Sequence, residues 1–431
     1  AASDVYKRQR QKVMLLAPTG RAAKVFSLGS GAPAYTIHRR IYREKAFAGV
    51  DGQFGLNDNL YTDTLFMVDE ASMIANMGLG GTTFGSGCLL DDLVKFVYQG
   101  HNDRLLLIGD KAQLPPVGEE ESPALSASVM EGYGLKVYEC DLNEVLRQSQ
   151  SSGILYNATL IRQMITHDAV TGLPLIRFKG FADIVMLPGA ELVESLGDSY
   201  HHVGMDETMV ITRSNKRANI YNNGIRNMVL DREEELSSGD MLMIVKNNYF
   251  WTEKEKKESG EGSAGAVPAF LANGDRAKVL RVSNYIELYG FRFATLLLQL
   301  PDYDDYEMQV TGMLDTLQSE APALTHEQQE ELFRQVEEDY QHFVPLKADR
   351  MKSIRQDAYF NALQIKYAYA VTCHKAQGGQ WAHVYVDQGY MTDDMLTPDY
   401  IHWLYTAFTR ATDKLFLVNW PKEQTCEPTD L

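Results

Sequence analysis

Short, continuous apolar runs recur along the chain and are separated by longer stretches that mix apolar and polar residues. The runs are Lys12–Ala17, Leu65–Val68, Leu105–Ile108, Met209–Thr212, Val384–Val386 and Leu415–Val418. Each is apolar almost throughout rather than at alternate positions, which is typical of a strand buried on both faces of a parallel sheet. Since the runs form an early and a late group, they predict two α/β units in series.

A different pattern lies between the two groups. Four segments look like antiparallel strands: Met241–Val245, Ala277–Val282, Phe293–Leu300 and Met308–Met313. The local signals around them are a turn at Asn273-Gly274, a helix that starts at a capping box of Thr325 and Gln328, and a flexible loop, by composition, over Glu253–Gly265. Residues 241–357 are therefore predicted to form a small β-rich insertion in the second unit.

Composition places the chain among ordinary globular proteins. Of its 431 residues 45% are apolar and 23% are charged, and no run of eighteen apolar residues occurs, so we expect no membrane span. The cysteines, Cys88, Cys140, Cys373 and Cys426, form no C-x-x-C pair. This spacing disfavours a zinc site or a disulfide framework and indicates a cytoplasmic location.

Charge is distributed unevenly along the chain. The net charge of −17 disfavours a general polyanion binder, although binding depends on local charge. Residues 10–48 hold eight basic side chains against one acid, whereas residues 301–360 hold fourteen acids against five bases. A nucleic-acid groove, if there is one, is therefore expected to include the early basic segment.

The first nine residues look foreign to the protein. Asp4–Gln9 reads DVYKRQ, which is what a DNA string resembling the end of a transposase-based sequencing adaptor encodes. The alternative is a genuine charged N-terminus. We treat residues 1–9 as adaptor-like and leave them out of the fold prediction.

An acid pair, Asp69-Glu70, ends the predicted strand Leu65–Val68. Ligands of α/β sheets bind at the carboxyl ends of the strands. A carboxylate at that position can hold Mg²⁺, and a second one can polarise an attacking water. Taken alone, the pair is weak evidence, and a solvated strand end is its simpler explanation.

The stretch Gly109–Gly118, of sequence GDKAQLPPVG, follows the next predicted strand. An amide such as that of Gln113 can hydrogen-bond a γ-phosphate or the water beside it, and the two prolines stiffen the connection. The pattern is long and specific, so an ordinary strand-to-loop turn is the weaker interpretation.

Taken in chain order, these and other stretches resemble the motifs of the RecD-like helicases of superfamily 1. The matching stretches are Ala17–Ala23 (motif Ia), Thr36–His38 (Ib), Asp69–Ser72 (II), Gly109–Gly118 (III), Leu142–Gln148 (IV), Tyr369–Gly378 (V) and Tyr405–Ala411 (VI). Any one of them is weak by itself, but their order through almost the whole chain makes the resemblance specific.

The resemblance implies an α/β fold of two RecA-like P-loop NTPase domains in tandem, with an SH3-like β-rich insertion in the second. The implied boundaries are 10–148 for the first domain, 149–240 with 358–431 for the second, and 241–357 for the insertion. It also implies a hairpin over residues 43–59, holding Phe47 and Phe54, that parts duplex DNA with an aromatic tip. A disordered surface loop is the alternative for that segment.

Site residues are carried over motif by motif from the resemblance. The implied catalytic residues are Asp69 (also the Mg²⁺ ligand), Glu70, Gln113, Arg147 and Arg410. The implied nucleotide contacts are Asp110, Gln377 and Gly378. The implied contacts to the nucleic-acid backbone are Pro18, Thr19, Arg21, Thr36, His38, Thr372, His374 and Lys375. Surface salt bridges are the alternative for each arginine, and a packed core histidine for His38.

One departure from the family is clear. No G-x-x-x-x-G-K-[ST] occurs anywhere in the sequence, although the family carries this P-loop just before the strand that begins here at Lys12. The glycine-rich stretch Gly78–Gly87 lacks the Lys-Ser/Thr that would make it a phosphate cradle. The expectation is a fragment that has lost the P-loop, together with a strand and a helix of the first unit.

The sequence therefore predicts an ATP- and Mg²⁺-dependent DNA helicase or translocase on single strands, moving 5′ to 3′ by resemblance. We expect single-stranded DNA and DNA junctions as partners, no membrane contact, a monomer, a cytoplasmic location and a place in DNA repair. An RNA translocase and a catalytically inactive nucleic-acid-binding module remain open as alternatives.

Overall fold

The computed structural model describes residues 12–47, 52–77, 85–142, 152–166, 172–259, 267–268 and 270–426. The predicted adaptor-like residues 1–9, most of the motif IV stretch with Arg147, and residues 78–84 of the glycine-rich loop lie outside these ranges. In the part that is described, no helix is long and apolar enough to cross a membrane.

The first α/β unit is built on a parallel sheet in the order β2-β1-β5-β6. Its elements are β1 (Lys12–Ala17), α1 (Gly20–Ser30), β2 (Ala34–Thr36), α2 (Ile37–Ile41), β3 (Tyr42–Phe47), β4 (Gly52–Leu56), β5 (Thr64–Val68), α3 (Leu89–Gln99), β6 (Arg104–Leu107) and α4 (Ala127–Gly132). Helix α1 begins where Thr19 Oγ1 accepts a bond from Ala22 N, and it ends at Gly31, whose φ of 65° is the left-handed cap that favours glycine.

The edge of this sheet differs from the prediction. All of β5 is buried, but the residues of β6 are exposed or half-buried. Among the described residues β6 pairs with β5 alone, through the register Leu65↔Arg104 to Val68↔Leu107. The prediction that Leu105–Ile108 is buried on both faces is therefore wrong, because the strand lies at an edge.

The second α/β unit holds a parallel sheet in the order β14-β8-β15-β16-β7. Its elements are α5 (Gly153–Thr166), β7 (Ile184–Leu187), α6 (Leu192–His202), β8 (Thr208–Thr212), α7 (Asn215–Gly224), β14 (Ala370–Thr372), α11 (Cys373–Ala376), β15 (Trp381–Asp387), α12 (Pro398–Phe408) and β16 (Ala411–Val418). Together the two units confirm the predicted α/β fold with parallel sheets.

Between α7 and β14 the chain forms a closed barrel in the order β10-β11-β12-β13-β9. Its elements are β9 (Met241–Ile244), α8 (Phe250–Ser259), β10 (Arg276–Leu288), β11 (Phe291–Leu300), β12 (Tyr306–Met313), α9 (His326–Gln341), α10 (Lys347–Arg355) and β13 (Leu363–Tyr367). The predicted capping box of Thr325 and Gln328 starts α9. Strand β13, which closes the barrel, lies beyond residue 357, where the sequence placed the end of the insertion.

Part of the segment predicted as a flexible loop is helical. Helix α8 covers the stretch up to Ser259, and residues 260–265 lie outside the described ranges. Buried Trp251 anchors the helix: its backbone N–H donates to Asn248 Oδ1 (3.3 Å) and its indole N–H to Asn361 O (2.9 Å). Glutamate and lysine form helices readily once one end is fixed, so composition alone misled the prediction.

Candidate nucleotide and nucleic-acid site

The acid pair lies directly after the carboxyl end of β5. Asp69 N donates to Leu16 O (3.0 Å), and Asp69 Oδ1 accepts from Glu70 N (2.9 Å). Glu70 adopts the left-handed backbone conformation with φ of 52°, which costs a non-glycine residue roughly 1–2 kcal/mol. Such strain at a strand end, next to a carboxylate, is typical of a site that the surrounding fold holds in place for function.

The segment that follows β6 is fastened to the second unit. Hydrogen bonds join Tyr405 Oη to Asp110 Oδ2 (2.6 Å), His402 Nδ1 to Ala112 O (2.9 Å), Leu114 N to Thr406 Oγ1 (2.8 Å) and Gln377 Nε2 to Leu114 O (2.8 Å). Ala112 and Leu114 are buried in the hydrophobic core of the second unit. We call Asp110–Leu114 the tethered segment. It belongs to the first unit by sequence but packs on helix α12.

Gln113 sits in the middle of the tethered segment. It is 9% exposed, its backbone N–H donates to Asp110 O (3.1 Å), and its Oε1 is buried without a hydrogen-bond partner. Leaving a buried acceptor unpaired costs about 1–3 kcal/mol. An amide held in this condition between two units is suited to accept a bond from a ligand or a water that enters the cleft.

Other predicted nucleotide contacts have partners within the protein. Both carboxylate oxygens of Asp110 accept bonds, from Tyr405 and from Ala112 N (3.0 Å). The amide of Gln377 is bonded to Leu114. Asp110 and Gln377 thus connect the two units, and the nucleotide contacts expected of them stay predictions.

Arg410 is 3% exposed. Its guanidinium donates to Thr406 O (3.0 Å), Gly379 O (3.1 Å) and Thr409 Oγ1 (3.1 Å), all in the second unit. The group is therefore held at the base of the loop that follows β14. Three of the five N–H donors of the guanidinium are used in this way, which leaves one on each terminal nitrogen for a contact with a phosphate.

The predicted backbone contacts of the first unit lie at the ends of neighbouring strands. Thr19 follows β1 and caps α1, and Thr36 ends β2 and caps α2 by accepting from Arg39 N (3.3 Å). Pro18 lies beside Thr19 in the same turn. Burial lowers the pKa of His38 to about 4, so its imidazole is neutral at pH 7 and offers a hydrogen bond rather than a charge.

The start of helix α1, which follows β1, is in contact with the loop that follows β14 and α11. Arg21 Nη2 donates to Gln380 O (3.2 Å), and the guanidinium lies 4.4 Å from the ring centroid of Trp381. Burial, with the nearby Arg276, lowers the pKa of Arg21 to about 10. Gly378 has φ of 74°, and a Cβ there would lie 3.3 Å from Ala22 Cβ, so the close approach of the two units favours glycine.

Thr372, His374 and Lys375 lie at the carboxyl end of β14 and in the short helix α11. Lys375 donates a hydrogen bond to the side chain of Asn273, which belongs to the barrel. Burial and, to a smaller extent, the charge of the nearby Lys366 together lower the pKa of Lys375 to about 8. Thr372 makes no side-chain capping bond. The structure thus brings the predicted contacts of both units to one region.

Some residues of this region escaped the sequence analysis. His402, Tyr405 and Thr406 fasten the tethered segment, but no role was assigned to them. Their spacing of three and four residues puts them on one face of helix α12. The sequence signal that could have identified these residues is a stripe of polar side chains on a helix that is otherwise buried.

The predicted hairpin is present as β3 and β4, paired from Tyr42↔Leu56 to Phe47↔Gly52. Its tip, residues 48–51, lies outside the described ranges. The ring of Phe54 packs on Tyr249 beside α8 with centroids 5.6 Å apart, and Tyr249 stacks on Phe270 at 4.8 Å. The hairpin therefore rests on the barrel side of the second unit.

Comparison with known proteins adds two family matches. Residues 1–172 match the model of an AAA domain, and residues 367–418 match the model of a UvrD-like helicase C-terminal domain. A curated relative, the uncharacterized protein R530 of Acanthamoeba polyphaga mimivirus, is 22% identical over 396 residues, covering 81% of this chain and 74% of that protein. The family matches support a superfamily 1 helicase, and therefore a protein that acts on nucleic acid as a helicase or translocase.

Solved structures of Pif1 helicases are also similar. One from Bacteroides, in complex with ADP-AlF3 and ssDNA, is 12% identical with a TM-score of 0.46, covering 99% of this chain and 87% of that one. One from Candida albicans is 15% identical with a TM-score of 0.37, covering 99% and 89%. At these scores the likeness assigns no role to any residue.

Proposed function

We propose that this chain is part of the motor of an ATP-dependent helicase or translocase that moves 5′ to 3′ on single-stranded DNA, as in the RecD-like branch of superfamily 1. One observation carries the proposal. The tethered segment Asp110–Leu114 follows a strand of the first unit, is hydrogen-bonded to helix α12 of the second, and holds Gln113 Oε1 buried and unpaired between them. A loop held by both units transmits a movement of either one to whatever Gln113 contacts.

The residues at the strand ends suit a magnesium nucleotide. Asp69 Oδ2 has no hydrogen-bond partner among the described residues, and a free carboxylate oxygen is the ligand that Mg²⁺ takes beside phosphate oxygens and water.

Glu70, Gln113 and Arg410 divide the remaining work in this proposal. When ATP is bound, it supplies the phosphoryl group that is transferred to water. Glu70 accepts a proton from that water, and Gln113 Oε1 orients it. Arg410 stabilises the charge on the phosphate through the N–H groups that its three bonds leave over, a role for which arginine's permanent charge and planar fork are suited.

A catalytically inactive nucleic-acid-binding module is the second candidate. The strained Glu70 and the buried, unpaired Gln113 favour the motor, since a module that only binds nucleic acid has no use for either.

The nucleic acid is proposed to run along the strand ends of both units and to be held through its phosphates. Arg21 and Lys375 would act by charge, and Thr19, Thr36, Thr372, His38 and His374 by hydrogen bonds.

Binding of unrelated oligonucleotides, measured by fluorescence anisotropy at stepped salt, tests this proposal. Each phosphate neutralised on a single strand contributes about −0.7 to the slope of log K against log salt. Lys375→Ala should reduce the slope by about that amount and weaken all sequences alike. Thr372→Ala should weaken binding but leave the slope unchanged, because a hydroxyl displaces no counterion. A loss of binding affinity that depends on the oligonucleotide sequence would contradict recognition of the backbone. The same titrations with RNA oligonucleotides test the alternative of an RNA translocase.

The remaining expectations are proposals of the same kind. The hairpin β3–β4 would meet the duplex end at a DNA junction, the chain would act as a monomer in the cytoplasm, and its pathway would be DNA repair. Preference for forked over linear oligonucleotides in the same binding assay is the result expected of the hairpin.

A further inference from the structure

A narrow cleft separates the second parallel sheet from the barrel. Strand β14 and helix α7 form one wall, and strands β9 and β13 form the other. Its polar lining includes Asn215, Asn219, Lys366, Thr372 and Lys375. Thr372 and Lys375 are already proposed to touch nucleic acid, whereas Lys366 comes from β13, the strand that closes the barrel.

The amide groups in this cleft are occupied and the ammonium groups are poorly paired. Asn215 Nδ2 donates to Glu320 O (3.1 Å), and Asn219 Nδ2 donates to Gln318 O (2.8 Å). Lys366 donates to Ser319 O and Lys375 to the side chain of Asn273, both neutral acceptors. Within the described ranges neither lysine has a carboxylate partner, so two positive charges line one cleft with no anion between them.

The two lysines influence each other. Burial lowers the pKa of Lys366 to about 8 and that of Lys375 to about 8, and the charge of Lys366 adds to the lowering at Lys375. Like charges that line one half-buried cleft repel each other, and an anion that enters between them removes the repulsion. Thr372, the last residue of β14, is also part of the lining.

We propose that this cleft is a phosphodiester subsite, in which Lys366 and Lys375 together hold one backbone phosphate of the single strand as it passes Thr372. The inference rests on the proposed function and extends it, since it gives the barrel a direct part in holding the nucleic acid. The bound phosphate oxygens replace the neutral acceptors Asn273 Oδ1 and Ser319 O. Charge-assisted bonds are stronger than the neutral-acceptor bonds they replace.

Anisotropy titration of a single-stranded oligonucleotide at stepped salt provides the first test. Lys366→Met should weaken binding by roughly tenfold, as expected for loss of a charge-assisted hydrogen bond, and reduce the salt slope by about 0.7. Lys352→Met is the matched control, because Lys352 is an exposed lysine of α10 outside the cleft, and it should change neither quantity. Thermal melting of both variants verifies that they are folded.

The outcomes separate this inference from the proposed function. If the unaltered chain binds no oligonucleotide, the proposed function fails and the subsite fails with it. If the unaltered chain binds but Lys366→Met behaves like Lys352→Met, the subsite alone is refuted. Inorganic phosphate and ADP are titrated in parallel, and Lys366-dependent binding of ADP with no effect on the oligonucleotide would assign the cleft to a nucleotide and overturn the proposal.

Proton uptake provides a second, independent readout. At pH 8 each lysine is about half protonated, and a phosphate raises the pKa of both, so binding should take up as much as about one proton. Tyr367 is the other titratable group of the lining, and His374 with Asp399 lies next to Lys375. Calorimetry in two buffers of different ionisation enthalpy measures the uptake. Lys366→Arg should keep the salt slope and reduce the uptake, whereas equal uptake in this variant would contradict the subsite.

Discussion

Replacing Tyr405 with phenylalanine removes one hydroxyl from the tether between the two units. That hydroxyl donates to Asp110 Oδ2 over 2.6 Å, and Tyr405 is 7% exposed, so water cannot readily replace it. A hydrogen bond to a charged group contributes about 1.5–3 kcal/mol net. Because about 1.4 kcal/mol corresponds to a factor of ten, local opening of the tethered segment should become roughly ten- to a hundredfold more frequent.

Hydrogen–deuterium exchange measures this opening directly. The amide of Leu114 is bonded to Thr406 Oγ1 of the second unit, so it exchanges only when the segment detaches. Tyr221→Phe is the matched control, since Tyr221 Oη donates to Asp387 Oδ2 (2.7 Å) within the second unit. Unchanged exchange at Leu114 in Tyr405→Phe, or equal acceleration in Tyr221→Phe, would refute the tether.

Two further predictions concern catalysis and pH. This 431-residue chain should hydrolyse ATP negligibly, and a DNA-stimulated turnover of about one per second or faster would contradict that prediction. In a longer form that supplies a P-loop, Glu70→Gln should abolish ATP hydrolysis but retain DNA binding. Burial raises the pKa of Asp275 to about 7, so the folded state binds an extra proton and its stability should fall as pH rises from about 4 to about 7. Asp275→Asn should flatten that fall in denaturant titrations at pH 5 and pH 8, and an unchanged pH dependence would show that Asp275 is not responsible.

Six of the nine strands that the structure describes in the two parallel sheets could be predicted from the sequence because they contain continuous apolar runs, whereas β2, β7 and β14 were not predicted. Strand β1 has the predicted bounds Lys12–Ala17, and β5 and β15 differ from prediction only at their ends. Strand β10 runs to Leu288, six residues beyond the predicted end, because its last residues are mostly exposed and carry no apolar pattern. A strand that is buried in the core has an apolar pattern in the sequence, whereas strand pairing outside the core has no such pattern.

The candidate site was predictable in part for a similar reason. Asp69 directly follows a predicted buried strand and falls at the carboxyl end of β5 as expected, whereas Thr372 is the last residue of β14 and was assigned through the family resemblance. The tether joins residues about 290 positions apart, for example His402 to Ala112, and no local pattern encodes such a contact. Lys366 was missed because no pattern in the sequence indicates that β13 belongs to the barrel and lines a cleft.

Photo-crosslinking tests most directly the central claim that one strand of DNA lies across both units. A short oligonucleotide carrying 4-thiothymidine at successive positions is irradiated with the protein, and the crosslinked peptides are identified by mass spectrometry. The account predicts crosslinks from the same oligonucleotide to peptides covering residues 18–38 and residues 369–378. Crosslinks confined to one unit, or concentrated in the acidic residues 301–360, would contradict it.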